Sequence, residues 1–234
     1  MQKRSLKADE TPSDLSRKGY NKSALQYLEW TSSLPSPRLA WLDKLFQYLG
    51  PLTLPTAHVL ELGCGAGIPC TLKLAKTVDR VVGTDISSTQ LDLARQYFRE
   101  AGLETSDDNS KVELREADMI ALSFPPASFD AICAFYSIIQ LSAPDQKLVL
   151  KRGFEWLKPG GYVLINVSKD ASPGSVMEGW NGMDACYWSG YGTEGTLREM
   201  GEIGYDVVEQ ETIETEGDAT FTWIIARKPI KDGT

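Results

Sequence analysis

Val59-Leu-Glu-Leu-Gly-Cys-Gly-Ala-Gly-Ile-Pro69 is the stretch that decides the fold of this chain. An apolar run ends at Glu61, and a proline that can open a helix closes the stretch. Between them, glycine occupies every second position, at Gly63, Gly65 and Gly67. This order predicts a buried strand that turns sharply into a helix. Because glycine permits positive φ and lets a ligand lie against the main chain, the turn also predicts a binding site.

A second acidic residue lies where a nucleoside would need one. Asp85 closes the apolar stretch Arg80-Val-Val-Gly-Thr-Asp85, one helix and one strand after the glycine turn. A carboxylate at that distance accepts hydrogen bonds from the ribose hydroxyls of a bound nucleoside. The two features together predict a nucleoside-type cofactor on a βαβ unit. The alternatives are that Asp85 caps the helix beginning near Ser88 and that the glycines allow close helix packing.

The composition is that of an ordinary globular domain with an acidic balance. The chain has 234 residues, 42% of them hydrophobic and 24% charged, with a net charge of −8. This length predicts a single domain with a full core. The negative charge argues against a nucleic-acid partner and against an anionic membrane surface. No apolar stretch approaches the roughly 20 residues that span a bilayer, so we expect no membrane partner.

Cysteine and histidine usage argues against a metal site. The chain has four cysteines and a single histidine, and no two of the cysteines form a C-x-x-C pair. A zinc site needs ligands at closer spacing, so we expect no metal. The first ten residues include basic side chains but lack the apolar segment of a secretory signal. These features favour reduced cysteines and a cytoplasmic protein.

Strands and helices alternate from residue 57 onward. The pattern predicts strands over 57–62, 80–85, 111–116, 129–135, 162–167, 206–212 and 220–226, and helices over 68–76, 88–101, 143–157 and 193–202. A short turn around Glu216-Gly-Asp218 joins the last two strands, which predicts an antiparallel hairpin. The predicted fold is α/β: a doubly wound, mostly parallel seven-stranded sheet with a C-terminal antiparallel hairpin and an N-terminal helical cap.

Two segments lie outside that alternation. Apolar residues at helical spacing over 19–50, interrupted at Pro35-Ser-Pro37, predict two helices that cap the ligand end of the sheet. Residues 169–192 are rich in glycine and aromatic residues without a clear period, and we interpret them as a lid over the substrate. We divide the chain into a flexible N-terminal tail over 1–18 and a single domain over 19–234.

Further motifs identify the cofactor. Asp118 follows the third strand, where a carboxylate can accept a hydrogen bond from an adenine amine. The strand Phe129–Tyr136 ends beside the glycine turn, and Leu157-Lys-Pro-Gly-Gly-Tyr162 follows one helix later. With the final hairpin, these motifs resemble the class I S-adenosylmethionine-dependent methyltransferase family over roughly residues 20 to 228, most closely its small-molecule methyltransferases. The resemblance implies a Rossmann-like fold, S-adenosyl-L-methionine as cofactor, and a transferase.

The resemblance also implies which residues hold the cofactor. Glu61 would lie near the amino group of the methionine moiety, Asp85 at both ribose hydroxyls, and Asp118 at the adenine amine. Tyr20 and Tyr27 would cover the methionine end. The complete set of cofactor residues that the resemblance implies is Tyr20, Tyr27, Glu61, Gly63, Gly65, Gly67, Asp85, Ile86, Asp118, Met119, Ala134 and Phe135.

Methyl transfer from a sulfonium needs alignment more than acid–base chemistry. Proximity and orientation in a water-free site supply most of the rate enhancement of an in-line SN2 transfer. Family members often have a histidine where this chain has Gln140, which argues against a histidine base. An acidic hydroxyl, a neutral amine or a thiolate needs no base; otherwise Tyr136, Asp184 or a water must remove the proton. We take Tyr136 and Gln140 as the candidate catalytic residues.

The lid is the candidate for substrate recognition. Its aromatic side chains have flat apolar faces and polar tips, which suit aromatic or cationic ligands. For each of them the alternative is packing beneath the lid. We expect Trp180, Tyr187, Trp188 and Ser189 to contact a small-molecule substrate, in a protein that is a monomer or a homodimer.

Two other functions use similar cofactor residues. A protein that binds S-adenosylmethionine as a sensor, or for chemistry other than methyl transfer, would share the same motifs. An NAD-dependent dehydrogenase also has a glycine turn and a ribose acid, but its third glycine comes one residue later than Gly67. The chain also lacks the Tyr-x-x-x-Lys pair of the short-chain dehydrogenases.

Overall fold

The computed structural model describes residues 2–106, 110–214 and 219–230, so the predicted turn around Glu216-Gly-Asp218 lies outside the described residues. Its helices and strands, in chain order, are β1 (Gln2–Arg4), α1 (Pro12–Ser33), α2 (Arg38–Leu49), β2 (His58–Leu62), α3 (Cys70–Thr77), β3 (Arg80–Asp85), α4 (Ser88–Glu100), β4 (Thr105–Ser106), β5 (Val112–Glu116), β6 (Phe129–Ala134), α5 (Ala143–Trp156), β7 (Leu157–Ser168), β8 (Ala171–Glu178), β9 (Ala185–Tyr191), α6 (Gly192–Ile203), β10 (Asp206–Ile213) and β11 (Phe221–Arg227).

The central sheet has the strand order β10–β11–β7–β6–β2–β3–β5–β4. The strands from β7 to β4 are parallel, whereas β11 pairs antiparallel with both β7 and β10. The predicted seven-stranded, mostly parallel sheet with a terminal hairpin is therefore confirmed, and the two-residue β4 is added at its edge. The strand order reverses between β2 and β6, and open α/β sheets bind ligands at the carboxyl ends of the strands beside such a reversal.

Helices cover both faces of this sheet. Neighbouring residues of β2 point to opposite faces, as the pleat requires: Val59 packs with α2, α3 and α4, and Leu60 packs with α5 and α6. The ring of Trp41 on α2 stacks on that of Trp223 on β11, with centroids 5.8 Å apart. None of the helices in the described part of the chain is long and apolar enough to cross a bilayer.

The N-terminal segment differs from the flexible tail predicted over 1–18. Strand β1 pairs antiparallel with β8, and α1 begins directly after Thr11, which caps it. The guanidinium of Arg4 forms ion pairs of 2.6 Å with both Glu10 and Glu178. The prediction missed this structure because the partner strand lies more than 160 residues later in the chain, and local sequence cannot indicate such a pairing.

The lid over 169–192 has regular structure that its sequence did not predict. Strands β8 and β9 form a hairpin around the short 3-10 turn Trp180–Gly182, and β1 completes a three-stranded antiparallel sheet. Helix α1 packs on this sheet at Gly19, where a Cβ would lie 3.0 Å from the sulfur of Met183. One turn later α1 bends at Ser23, whose hydroxyl donates to the Gly19 carbonyl at 2.9 Å. The lid and the N-terminal helix therefore form one covering unit over the carboxyl ends of the strands.

Candidate active site

A cavity of about 640 Å³, partly open to solvent, lies at the carboxyl ends of β2, β3 and β6 beneath α1. Its walls come from the glycine turn, from the ends of four strands, and from the covering helix. Most of the residues that the sequence predicted for the cofactor or for catalysis meet there: Tyr20, Tyr27, Gly63, Gly65, Asp85, Ile86, Asp118, Met119, Phe135, Tyr136 and Gln140.

The three glycines of the turn have different roles. All three have positive φ, at 72°, 56° and 74° in chain order. A Cβ on Gly63 would lie 2.3 Å from the Cβ of Ser137, and one on Gly67 would lie 2.9 Å from the ring of Phe98. Among the described residues, a Cβ on Gly65 would meet only Gln90, at 3.7 Å. Gly65 therefore leaves the cavity open for a ligand. Gly67 lies outside the cavity, and its lack of a side chain instead allows close helix packing, which is the alternative role given above for the glycines.

Asp85 is buried at the end of β3, and each of its carboxylate oxygens accepts a backbone hydrogen bond. Its Oδ2 accepts a hydrogen bond from the Gly65 amide at 2.8 Å, and its Oδ1 accepts one from the Ser87 amide at 2.9 Å. Burial raises the pKa of Asp85 to about 6, and these backbone hydrogen bonds oppose the rise. Each oxygen keeps a further lone pair, so the carboxylate can still accept a hydrogen bond from a ligand hydroxyl.

Glu61 lies in an adjoining cleft on the other side of the glycine turn. The side chain is buried, and its Oε2 accepts a hydrogen bond from the hydroxyl of Thr71 at 2.7 Å. Burial raises the pKa of Glu61 to about 8, with Thr71 and the positive charge of Arg38 opposing the rise. Glu61 and Arg38 line the same cleft, together with Gly63 and Gly65. The cleft therefore offers one acidic and one basic group beside the exposed main chain.

The raised pKa of Glu61 predicts how stability depends on pH. When folding raises the pKa of a carboxyl group, the folded chain binds more protons than the unfolded chain at every pH between the two pKa values. Stability therefore falls as the pH rises through that range. Asp85 acts in the same direction but only up to its own pKa near 6. We expect the free energy of unfolding to fall by about 2 kcal/mol from pH 6 to 8 because of Glu61. Urea titrations should show this loss, and Glu61→Gln should remove it; an identical pH slope in the variant would contradict the assignment.

The far end of the first cavity suits an adenine ring. Asp118 is half-buried and its Oδ1 accepts a hydrogen bond from the Ile120 amide at 3.1 Å, which fixes the carboxylate at the cavity wall. Ile86 and Met119 supply apolar surface on the same wall. The arrangement places a carboxylate acceptor in the same cavity as apolar side chains.

The candidate catalytic residues Tyr136 and Gln140 form hydrogen bonds with residues of β7 and of the lid. The backbone of Tyr136 has a φ of 54°, and its amide donates to Oδ1 of Asn166 at 2.7 Å. The amide of Gln140, oriented so that both of its groups are satisfied, donates to the Tyr187 carbonyl at 3.0 Å and accepts from the indole of Trp188. Gln140 therefore ties the turn after β6 to the lid strand β9.

A second cavity of about 620 Å³ adjoins the first. The two cavities share Tyr20, Tyr27, Tyr136 and Gln140 as lining residues. The lid residues Trp180 and Trp188, which we expect to contact a substrate, line the second cavity. Three residues that the sequence did not suggest line it as well: Trp30, Arg38 and Phe221.

Besides Gly67, and Glu61 in the adjoining cleft, three predicted site residues lie outside the two cavities. Ala134 is buried within β6. The side chain of Tyr187 packs with Leu15 and Val176 on the other face of the lid. The hydroxyl of Ser189 donates to the Leu141 carbonyl at 2.6 Å and is buried. The last two residues therefore stabilise the lid in this structure rather than face the space beneath it.

Two further polar groups face the first cavity, although no motif in the sequence points to them. Ser16 on α1 and Gln90 on α4 are both buried lining residues. The hydroxyl oxygen of Ser16 and the Nε2 of Gln90 have no hydrogen-bond partner within the described structure. Buried polar groups without partners are unusual, and a polar ligand in this cavity would supply partners for both. The donor set of this cavity therefore fits a polar nucleoside.

The part of the chain that contains this site is similar in sequence to known methyltransferases. The family model described as "Methyltransferase domain" matches residues 59–161, which contain the glycine turn, Asp85 and Asp118. Residues 59–161 therefore form a methyltransferase domain of the class I S-adenosylmethionine-dependent type. Methyltransferase GfsG of Streptomyces halstedii is 36% identical over 107 residues, which are 46% of this chain and 36% of that protein. The chain spans less than half the length of the curated relatives that it matches.

Solved structures share the fold of this methyltransferase domain across nearly the whole chain. A 1,6-didemethyltoxoflavin-N1-methyltransferase from Burkholderia thailandensis, with bound S-adenosylhomocysteine, has a TM-score of 0.69 and 17% identity, covering 98% of this chain and 100% of that chain. The [4+2]-cyclase SpnF has the same TM-score and identity, covering 94% and 98%. At such low identity the likeness shows the fold alone, and the methyltransferase fold thus occurs in proteins with different chemistry.

Proposed function

We propose that this chain is an S-adenosylmethionine-dependent methyltransferase that acts on a small molecule. The observation that carries the proposal is the pair of adjoining cavities. The first combines the acidic groups and bare main chain that suit the cofactor, and the second is an aromatic chamber for an acceptor. Because Tyr20, Tyr27, Tyr136 and Gln140 line both, a group held at the end of the first cavity is presented to the second.

The first cavity would hold the nucleoside part of the cofactor. Asp85 would accept hydrogen bonds from the ribose hydroxyls, and Asp118 would accept one from the adenine amine. Ile86 and Met119 would pack against the faces of the ring. The unpartnered Nε2 of Gln90 supports this assignment, because a cofactor in the cleft would satisfy it.

The adjoining cleft would hold the amino acid part of the cofactor. An α-amino acid carries one positive and one negative group, and the cleft offers Glu61 and Arg38 as complementary partners. The backbone of Gly63 and Gly65 would lie beside the connecting chain. Arg38 belongs to α2, the second helix of the cap, so the cap would take part in cofactor binding as well as in covering the site.

The protein supplies alignment rather than acid–base catalysis. When bound, the cofactor supplies a methyl group on a positively charged sulfur, which reacts with a nucleophile placed in line with it. Among the described lining residues of the second cavity there is no carboxylate and no histidine, and Gln140 is held by the lid. We therefore infer that the acceptor is already nucleophilic when it binds, and that Tyr136 and the lid position it and exclude water.

Incubation with methyl-labelled S-adenosylmethionine and a panel of small metabolites tests the proposal. We expect label to appear on one acceptor class and S-adenosylhomocysteine to form in equal amount. Titration should also show that S-adenosylhomocysteine binds and NADH does not. Consumption of a metabolite with the label still on the cofactor would reject methyl transfer and favour another chemistry on the same fold.

A further inference from the structure

We propose that the second cavity binds a planar aromatic molecule that carries no cationic group. This inference rests on the proposed function, since it names the acceptor class of the same site. It narrows the aromatic or cationic ligands that the lid sequence suggested to one chemistry. It also adds Trp30 and Phe221 to the residues expected to contact the acceptor, and removes Tyr187 and Ser189 from them.

The walls of the second cavity are built from aromatic rings at close mutual spacing. Trp180 lies at the centre of this set, with its ring centroid 5.3 Å from that of Trp30, 6.0 Å from Tyr27 and 4.9 Å from Trp188. The interplanar angles at Trp30 and Trp188 are 82° and 74°, so these rings meet edge to face. Ring edges and faces both border the cavity, and such a set offers stacked and edge-on contacts to a flat ligand.

Two further aromatic rings, those of Tyr136 and Phe221, line the second cavity. Tyr136 meets Phe221 edge to face, with centroids 4.9 Å apart. Phe221 is the first residue of β11, and both rings line the cavity. The cavity therefore lies between an aromatic wall on the lid and cap and another on the central sheet. A flat aromatic molecule can stack on these rings or meet their edges, whereas a saturated ring system of the same carbon skeleton has no π face to offer them.

The charge of the residues that line the second cavity distinguishes it from an aromatic cage that binds cations. Aromatic cages attract quaternary ammonium groups through the faces of their rings. Here the guanidinium of Arg38 lines the same cavity and lies 5.8 Å from the ring centroid of Tyr136, where it uses that ring's attraction for positive charge. No carboxylate lines the cavity among the described residues. The sulfonium of the methyl donor would add a second positive charge. With S-adenosylhomocysteine, which lacks that charge, Arg38 and the absence of a carboxylate among the described lining residues disfavour a cationic acceptor by themselves.

A binding experiment with three matched probes tests this inference. With S-adenosylhomocysteine at saturation, calorimetry measures the affinity of 2-naphthol, of decahydro-2-naphthol and of phenyltrimethylammonium. We expect 2-naphthol to bind at least about tenfold more tightly than either of the others, the scale of two or three aromatic contacts. Equal affinity for the planar and the saturated alcohol would overturn the inference, and so would preferred binding of the ammonium ion.

Variants locate the site and separate the two proposals. Trp180→Leu should remove the preference for 2-naphthol and leave the affinity for S-adenosylhomocysteine unchanged, and Trp30→Leu provides a second variant should the first fail to fold. Tyr48→Leu is the matched control, because Tyr48 is an exposed aromatic residue on α2 outside both cavities. A full preference retained in both tryptophan variants would overturn the inference. Failure of S-adenosylhomocysteine to bind the unchanged protein would instead reject the proposed function.

Discussion

Replacement of Asp85 by alanine is expected to weaken the binding of S-adenosylhomocysteine by about 1.5–3 kcal/mol, or roughly 10- to 150-fold in Kd. The carboxylate is buried at the end of β3 and lines the first cavity, so its hydrogen bonds to a ribose would be charge-assisted and shielded from water. The same carboxylate accepts from the Gly65 amide at 2.8 Å, so the variant also loses a group that fixes the glycine turn. Calorimetric titration measures the affinity, and urea unfolding measures the separate cost in stability.

Asp79→Ala is the matched control for this variant. Asp79 directly precedes β3, so it lies at the opposite end of the strand that Asp85 closes. Its side chain is exposed, and its Oδ2 lies 3.4 Å from Nε2 of His58. Removing it leaves the cofactor cavity intact, and we expect no change in affinity. An unchanged Kd for Asp85→Ala in a folded protein would show that the ribose binds elsewhere.

The central sheet could be predicted from the sequence because its signals are local. The central parallel strands are short apolar runs, a helix follows each of β2, β3 and β6 before the next strand, and their order along the chain limits the topology. The glycine turn and Asp85 belong to the first of these units. Their contact through the Gly65 amide therefore follows from the fold itself. The part of the site that lies on the sheet was predictable for this reason.

The parts of the site that lie on the cap and lid could not be predicted in the same way. Residues 169–192 have no clear period in their sequence, so the sequence does not indicate the alternation of side chains along β9. In a strand, neighbouring residues face opposite sides. Trp188 therefore faces the second cavity, and its neighbours Tyr187 and Ser189 face away from it. Arg38 reaches the site only because the cap folds over the sheet, a contact between residues distant in sequence.

Alanine at Gly63 is expected to lower the free energy of unfolding by about 3 kcal/mol, from two additive causes. The backbone at Gly63 has a φ of 72°, which costs about 1–2 kcal/mol for a residue with a Cβ. The new Cβ would also lie 2.3 Å from the Cβ of Ser137, and that overlap forces the main chain after β6 to move. Ser137 has little freedom to yield, since its hydroxyl donates to the Leu62 carbonyl at 2.6 Å.

Gly102→Ala separates the two causes. Gly102 has almost the same φ, 71°, and among the described residues no neighbouring atom would lie within 4 Å of its new Cβ. Urea titrations should therefore show a loss of about 1–2 kcal/mol for Gly102→Ala and a clearly larger loss for Gly63→Ala. Adding Ser137→Gly to Gly63→Ala should recover part of the difference, since it removes the overlapping atom. Equal losses at the two glycines would mean that the turn after β2 can shift away from Ser137. The walls of the cofactor cavity would then be less rigid than the close contact between the ends of β2 and β6 indicates.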